Sequence, residues 1–212
     1  MSSKQDKLYT SNRLLSGIRE IEKWHPHKML TYLFLLGSFL VMIFLLITFT
    51  IEVIRQSEFL EIIKLPKFFI VASIVILLSG YFNRDILKLY HHDNIENIRK
   101  KLFEKFLFGT VFLLFQFIGW LELVFQGLTL NSNVIGTYVF LLTSYHMVHM
   151  LACLVAIAWF LYKTKDIHID PVSRLIYFTA PYERVKLEIF IVLWRFIIFS
   201  WIFLFVWLVF IL

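Results

Sequence analysis

Charge is scarce in this chain. Charged residues make up 17% of its 212 residues and apolar ones 59%, where a soluble domain averages about 25% and about 45–50%. That imbalance, with a mean hydropathy of +0.76, excludes an ordinary soluble domain. So much apolar surface needs lipid or partner subunits to cover it. Cysteine is nearly absent too: Cys153 stands alone inside an apolar run, so an internal disulfide is impossible. The 7 glycines and 4 prolines form no linker-like stretch, and no internal repeat is present, which argues for one domain. A Ser/His/Asp set, a glycine-rich phosphate loop and an HExxH pair are all missing, so no motif places a catalytic centre in this chain.

What the sequence does have is long apolar runs. Crossing about 30 Å of hydrocarbon takes about 20 apolar residues in a helix. Five runs qualify, over about 29–51, 66–84, 106–125, 134–162 and 188–212. The first has no charge inside it. The second is short, and crosses if Lys67 and Arg84 snorkel outward and the helix runs on into the polar stretch beyond. The third and fourth are divided only by Gln126, Gly127, Asn131, Ser132 and Asn133, a turn cluster. A polar leader, 1–28, precedes the first run. That run is too long for a signal core and lacks a small-residue cleavage site, so no cleavable signal is expected. The expected fold is all-α: a bundle of five transmembrane helices filling 29–212.

A net charge of +6 suggests nucleic acid in a soluble protein. Here the cations border the apolar runs, and the reading is membrane orientation, with no nucleic-acid partner. Seventeen of the 21 Lys and Arg residues fall in the leader and in the second and fourth loops. The opposite side holds Arg55, Lys64 and Lys67. The N-terminus is therefore expected in the cytoplasm and the C-terminus across the membrane. Trp24, Trp120, Trp159 and Trp207 fall near expected interfaces, as an aromatic belt places them.

Ionisable and strongly polar groups within spans are expensive, which makes them functional candidates. They are Gln116, Glu122, His146, His149 and Arg195. By helical rise, Gln116 lies about 14 Å from the outer end of its helix and His146 about 18 Å from the outer end of the next, so the two share a depth. His146 and His149, three apart, lie on one face of one helix. Haem held by two histidines usually draws them from facing helices, and the spans are too poor in Glu for a carboxylate-rich metal site. The plainer reading is that the histidines hydrogen-bond between helices or to a partner. Arg195 either snorkels to the headgroups or pairs with a phosphate or carboxylate. His91 and His92 are expected to be solvated in a loop.

One long stretch carries a resemblance. It comprises Gln116-Phe-Ile-Gly-Trp120-Leu-Glu122, then Gly127-Leu-Thr-Leu-Asn-Ser-Asn133, Gly136-Thr-Tyr-Val-Phe-Leu-Leu-Thr143, and the motif Thr143-Ser-Tyr-His146-Met-Val-His149. Together these resemble subunit III of the haem-copper oxidases, in its short five-helix bacterial form. Ser144 stands where that family has glycine. On the last helix Trp194-Arg195-Phe196 through Trp201 keeps the family's aromatics and loses its His and Asp. The family commonly carries a buried Glu in the helix matching the first span, and Phe34-Leu-Leu-Gly-Ser38-Phe has none. The likeness extends over about residues 24–212.

The resemblance implies a non-catalytic subunit of a bacterial terminal oxidase in the inner membrane. Its partners are the catalytic subunit I, the other oxidase subunits and phospholipid, and it supports proton uptake. It implies no cofactor in this chain, since haem and copper belong to partner subunits. The alternatives are a subunit-III-like accessory protein of a nitric oxide reductase or quinol oxidase, or a membrane b-type cytochrome using His146 and His149.

Overall fold

The computed structural model describes residues 26–56, 64–81, 86–129, 134–165, 167 and 170–212. Every element in it is a helix: α1 Pro26–Arg55, α2 Lys67–Tyr81, α3 Ile86–His91, α4 Ile95–Phe125, α5 Val134–Lys163, α6 Pro171–Thr179 and α7 Pro181–Ile211. Five helical stretches are long and apolar enough to cross a membrane: α1, the stretch Lys67–His91, α4, α5 and Tyr182–Ile211. Most of the leader, including Trp24, lies outside the described residues, as do Arg84 and Asn131, Ser132 and Asn133.

The helices outrun the apolar stretches that announced them. α4 begins at Ile95, eleven residues before its apolar run, because Asn94 caps it by accepting a hydrogen bond from the Asn97 amide at 3.1 Å. Pro181, at the first helical position, starts α7 in the same early fashion. At about 1.5 Å per residue, 31 residues reach about 46 Å. Both helices therefore extend beyond the hydrocarbon. α3 lies in the polar stretch into which the second run is expected to continue, whereas α6 has no counterpart in the apolar runs. They meet through Tyr90, whose hydroxyl donates to the Tyr177 carbonyl at 3.2 Å and whose ring lies 5.1 Å from Phe178.

Residues 26–37 form a unit of their own: the first turns of α1, with the Thr31 hydroxyl donating to the His27 carbonyl at 2.8 Å. From Ser38 onward the chain is a second unit with one core. In it α2 packs on α4 and α7, α4 on α5, and α5 on α7. The rest of α1 joins through Phe39, 5.9 Å from the Phe199 ring, and Thr50, whose hydroxyl accepts from the Trp207 indole at 3.0 Å.

The buried positions recur at alternating three- and four-residue steps. On α4 they are Ile95, Ile98, Leu102, Lys105, Gly109, Phe112, Gln116, Gly119 and Leu123, with Leu113 buried beside Phe112. On α7 the series is Leu187, then Trp194, Ile197, Trp201, Leu204 and Leu208, with Ser200 buried beside Trp201. A 3.5-residue repeat is the signature of helices crossing at about 20° with side chains interleaved. Several of the inward positions are small or polar, while Phe44, Leu114, Val148, Phe199 and Phe210 point outward and are exposed. Helices in lipid pack this way: small residues bring backbones together, and large apolar ones face the tails. At Gly119 an added Cβ would collide with the Phe69 ring of α2.

Candidate functional site

The α4–α5 hairpin closes where the turn cluster puts it. Gly127 has φ +81°, its amide donates to the Val124 carbonyl at 2.9 Å, and the Leu128 amide donates to Leu123 at 3.1 Å. These bonds make a Schellman cap, with Leu123 and Leu128 both buried against it. A side chain in the left-handed region strains the backbone, so glycine suits this turn. The same end of the hairpin holds the start of α2. A Glu122 carboxylate oxygen accepts from the Lys67 amide at 2.8 Å, and the Gln126 side chain accepts from the Lys64 amide at 3.2 Å. A carboxylate at a helix N-terminus satisfies a free amide and meets the positive end of the dipole. Glu122 is thus a half-buried cap between two helices.

Deeper in the bundle the Trp120 indole donates to Thr143 Oγ1 at 2.9 Å, tying α4 to α5. His146 is buried, with its ring 5.6 Å from Phe112 and 5.1 Å from Trp201. Its Nε2 lies 3.0 Å from the Ile197 carbonyl of α7. A carbonyl only accepts, so Nε2 carries the proton. The Trp201 indole in turn donates to Ser73 of α2 at 2.9 Å. His146 therefore stands in a polar and aromatic layer joining α2, α4, α5 and α7.

His149 faces elsewhere. Its Nδ1 donates to the Tyr145 carbonyl at 2.8 Å, which leaves Nε2 to accept from the Ser38 hydroxyl of α1 at 2.9 Å. The Tyr145 hydroxyl closes the trio, 2.8 Å from Ser38 Oγ. The two histidines thus hold opposite tautomers and address different helices, His146 toward α7 and His149 toward α1. His146 Nε2 and both ring nitrogens of His149 are committed to these hydrogen bonds, so the pair does not fit two axial ligands of one haem. Among the described residues no group of three or more His, Cys, Asp or Glu is placed to hold a metal.

Gln116 sits in the core with no exposure. Arg195 is exposed on the outer face of α7, beside the buried Trp194. The five candidates therefore divide. Gln116 and His146 share the core, Glu122 serves the hairpin end, His149 serves α1, and Arg195 faces the surroundings.

Sequence reading missed Lys105, which it placed among the loop cations. The residue is only 4% exposed, inside α4, with its ammonium 5.0 Å from the centre of the Trp194 ring. The Trp194 indole donates to Ser79 of α2 at 3.1 Å. The signal available was its place in the three-four repeat of α4. Ser38 was seen only as the lack of a glutamate; its tie to His149 needed the fold. Nearby, Arg99 donates to the Leu161 carbonyl and to Thr164, both at 3.0 Å, capping the end of α5. His91 and His92 are exposed, in keeping with the solvated reading.

Outside the spans, Asp170 caps α6. The Ser173 hydroxyl and the Ser173 and Val172 amides all donate to its carboxylate, and they hold it below the ordinary carboxyl range. Burial pushes the Tyr177 hydroxyl the other way, well above its usual value. A cleft of about 440 Å³ opens between α4, α5 and α7, lined by Leu102, Val155, Trp159, Phe160 and Phe190 and by Lys186, whose ammonium donates to Glu183 at 2.7 Å.

Helices of this length and hydropathy, with large apolar residues turned outward and polar ones inward, make this the architecture of a multi-pass membrane protein. Known protein-family models and curated proteins give no match to the chain.

Proposed function

We propose that this chain is a non-catalytic subunit of a bacterial haem-copper terminal oxidase, of the subunit III type, set in the inner membrane with its N-terminus in the cytoplasm. In that role it packs against the catalytic subunit, holds phospholipid in clefts between helices and supports proton uptake and sustained turnover. Haem and copper belong to the partner. One observation carries the reading: Thr143, Tyr145, His146 and His149 of the Thr143–His149 motif make hydrogen bonds to other helices. Thr143 binds Trp120, His146 binds the Ile197 carbonyl and His149 binds Ser38. Such a motif builds a scaffold. The orientation rests on the distribution of Lys and Arg. The cleft between α4, α5 and α7, lined by Leu102, Val155, Trp159 and Phe190, suits an acyl chain.

Extraction in a mild detergent, followed by identification of what co-purifies, tests the proposal. The expected outcome is a complex containing a large subunit with an oxygen-reducing haem–copper centre. A partner carrying nitric oxide reductase or quinol oxidase activity would move the chain to that branch. Purification alone, or with partners that lack haem, would overturn the reading.

A further inference from the structure

Two polar groups in the middle of the bundle are left over once the helix contacts are made. Gln116 is fully buried, yet neither its amide nitrogen nor its oxygen has a hydrogen-bond partner among the described residues. His146 is 2% exposed, and its Nδ1 is likewise unpartnered. Because the Ile197 carbonyl fixes the proton on Nε2, that Nδ1 is a bare lone pair.

The register of the hairpin puts the two at the same level of neighbouring helices. Trp120 bonds Thr143, while Gly109 faces Met150 and Leu154. Gln116, between them on α4, falls opposite the turn of α5 that holds His146. Phe112, one turn along from Gln116, already touches the His146 ring.

Leaving an amide unmet in so dry an interior is costly, and retained groups of this kind are normally satisfied by an internal water. The chemistry selects the ligand. Gln116 offers two donors and an acceptor, and His146 offers one acceptor. Both are neutral, and aromatic rings surround the histidine, so nothing favours an ion. A water donates twice and accepts twice, so one molecule can accept from a Gln116 amide hydrogen and donate to His146 Nδ1, bridging the two side chains. The neighbouring indoles are already committed, Trp120 to Thr143 and Trp201 to Ser73, so the bridge ends at these residues.

We propose that Gln116 and His146 form a binding site for an internal water that links α4 to α5 and, through the Ile197 carbonyl, to α7. This site does not depend on the oxidase reading.

Solid-state NMR of the full chain in lipid vesicles, with magnetisation transferred from water, tests it. Gln116 Nε2 and His146 Nδ1 are expected to receive transfer at short mixing times. The Trp201 indole, bonded to Ser73, is expected to lag. In Gln116→Met the transfer to His146 falls and the thermal midpoint in detergent drops. No transfer to either side chain would overturn the proposal. So would a direct hydrogen bond from the Gln116 amide to His146 Nδ1, or a thermal midpoint that rises in Gln116→Met.

Discussion

At the scale of single residues, polar side chains in this bundle act as joints. His149, Tyr145 and Ser38 form one, and its strength is testable. Hydrogen bonds between helices in lipid are worth about 0.6 kcal/mol on average and reach about 1.7. Ser38→Ala and His149→Phe, singly and together, should give a coupling energy in that range in a double-mutant cycle read by unfolding in mixed micelles. Strict additivity would show the trio to be incidental. Close approach is the other device. Gly119 leaves room for Phe69 alone, so Gly119→Ala should cost about 1–3 kcal/mol as overpacking. Phe69→Leu in the same chain should recover part of that loss. If the single variant unfolds at the wild-type midpoint, the packing described for α2 and α4 is wrong.

At the scale of elements, the spans were legible and their inward faces were not. Ordinary amphipathic reasoning looks for an apolar stripe on a polar helix. Here both sides of each helix are apolar, so average hydropathy reveals that a helix crosses but not which way it turns. The face is written instead in small and polar residues at three-four spacing: Lys105, Gly109, Gln116 and Gly119 on α4. The shared depth of Gln116 and His146 followed from the tight hairpin, because a short turn fixes antiparallel register. Ser38 with His149, and Lys105 over Trp194, were hidden, because no local signal says which helices become neighbours. The early start of α4 was available in Asn94 but was masked by the charges that follow it. α6 offers its own check. Hydrogen bonds from Ser173 and Val172 depress the Asp170 carboxyl below its ordinary value. The carboxylate cap therefore contributes above the unfolded value and is lost as pH falls through the lower, folded one. Amide protection in 171–179, taken relative to intrinsic exchange at each pH, should fall through that acid step, and in Asp170→Ala it should be low on both sides of it. An acid step that persists in Asp170→Ala would assign it to another group.

At the scale of the whole molecule, the outward residues imply company. Lipid covers large apolar side chains without further provision, but an arginine on the outer face of α7 calls for a headgroup, a partner carboxylate or both. If the proposed oxidase role holds, Arg195→Ala and Glu122→Gln are predicted to cause modest losses of assembly, bound phospholipid or sustained turnover. Neither should remove haem from the assembled complex, and full loss of the haem spectrum would contradict the scaffold role. Beneath these expectations lies the claim that buried polar groups here join helices and build no reaction centre in this chain. The visible spectrum of the isolated polypeptide, with and without His146→Ala, tests that claim most directly. The account predicts no stoichiometric Soret band in either protein. A stoichiometric band that vanishes in His146→Ala would contradict it.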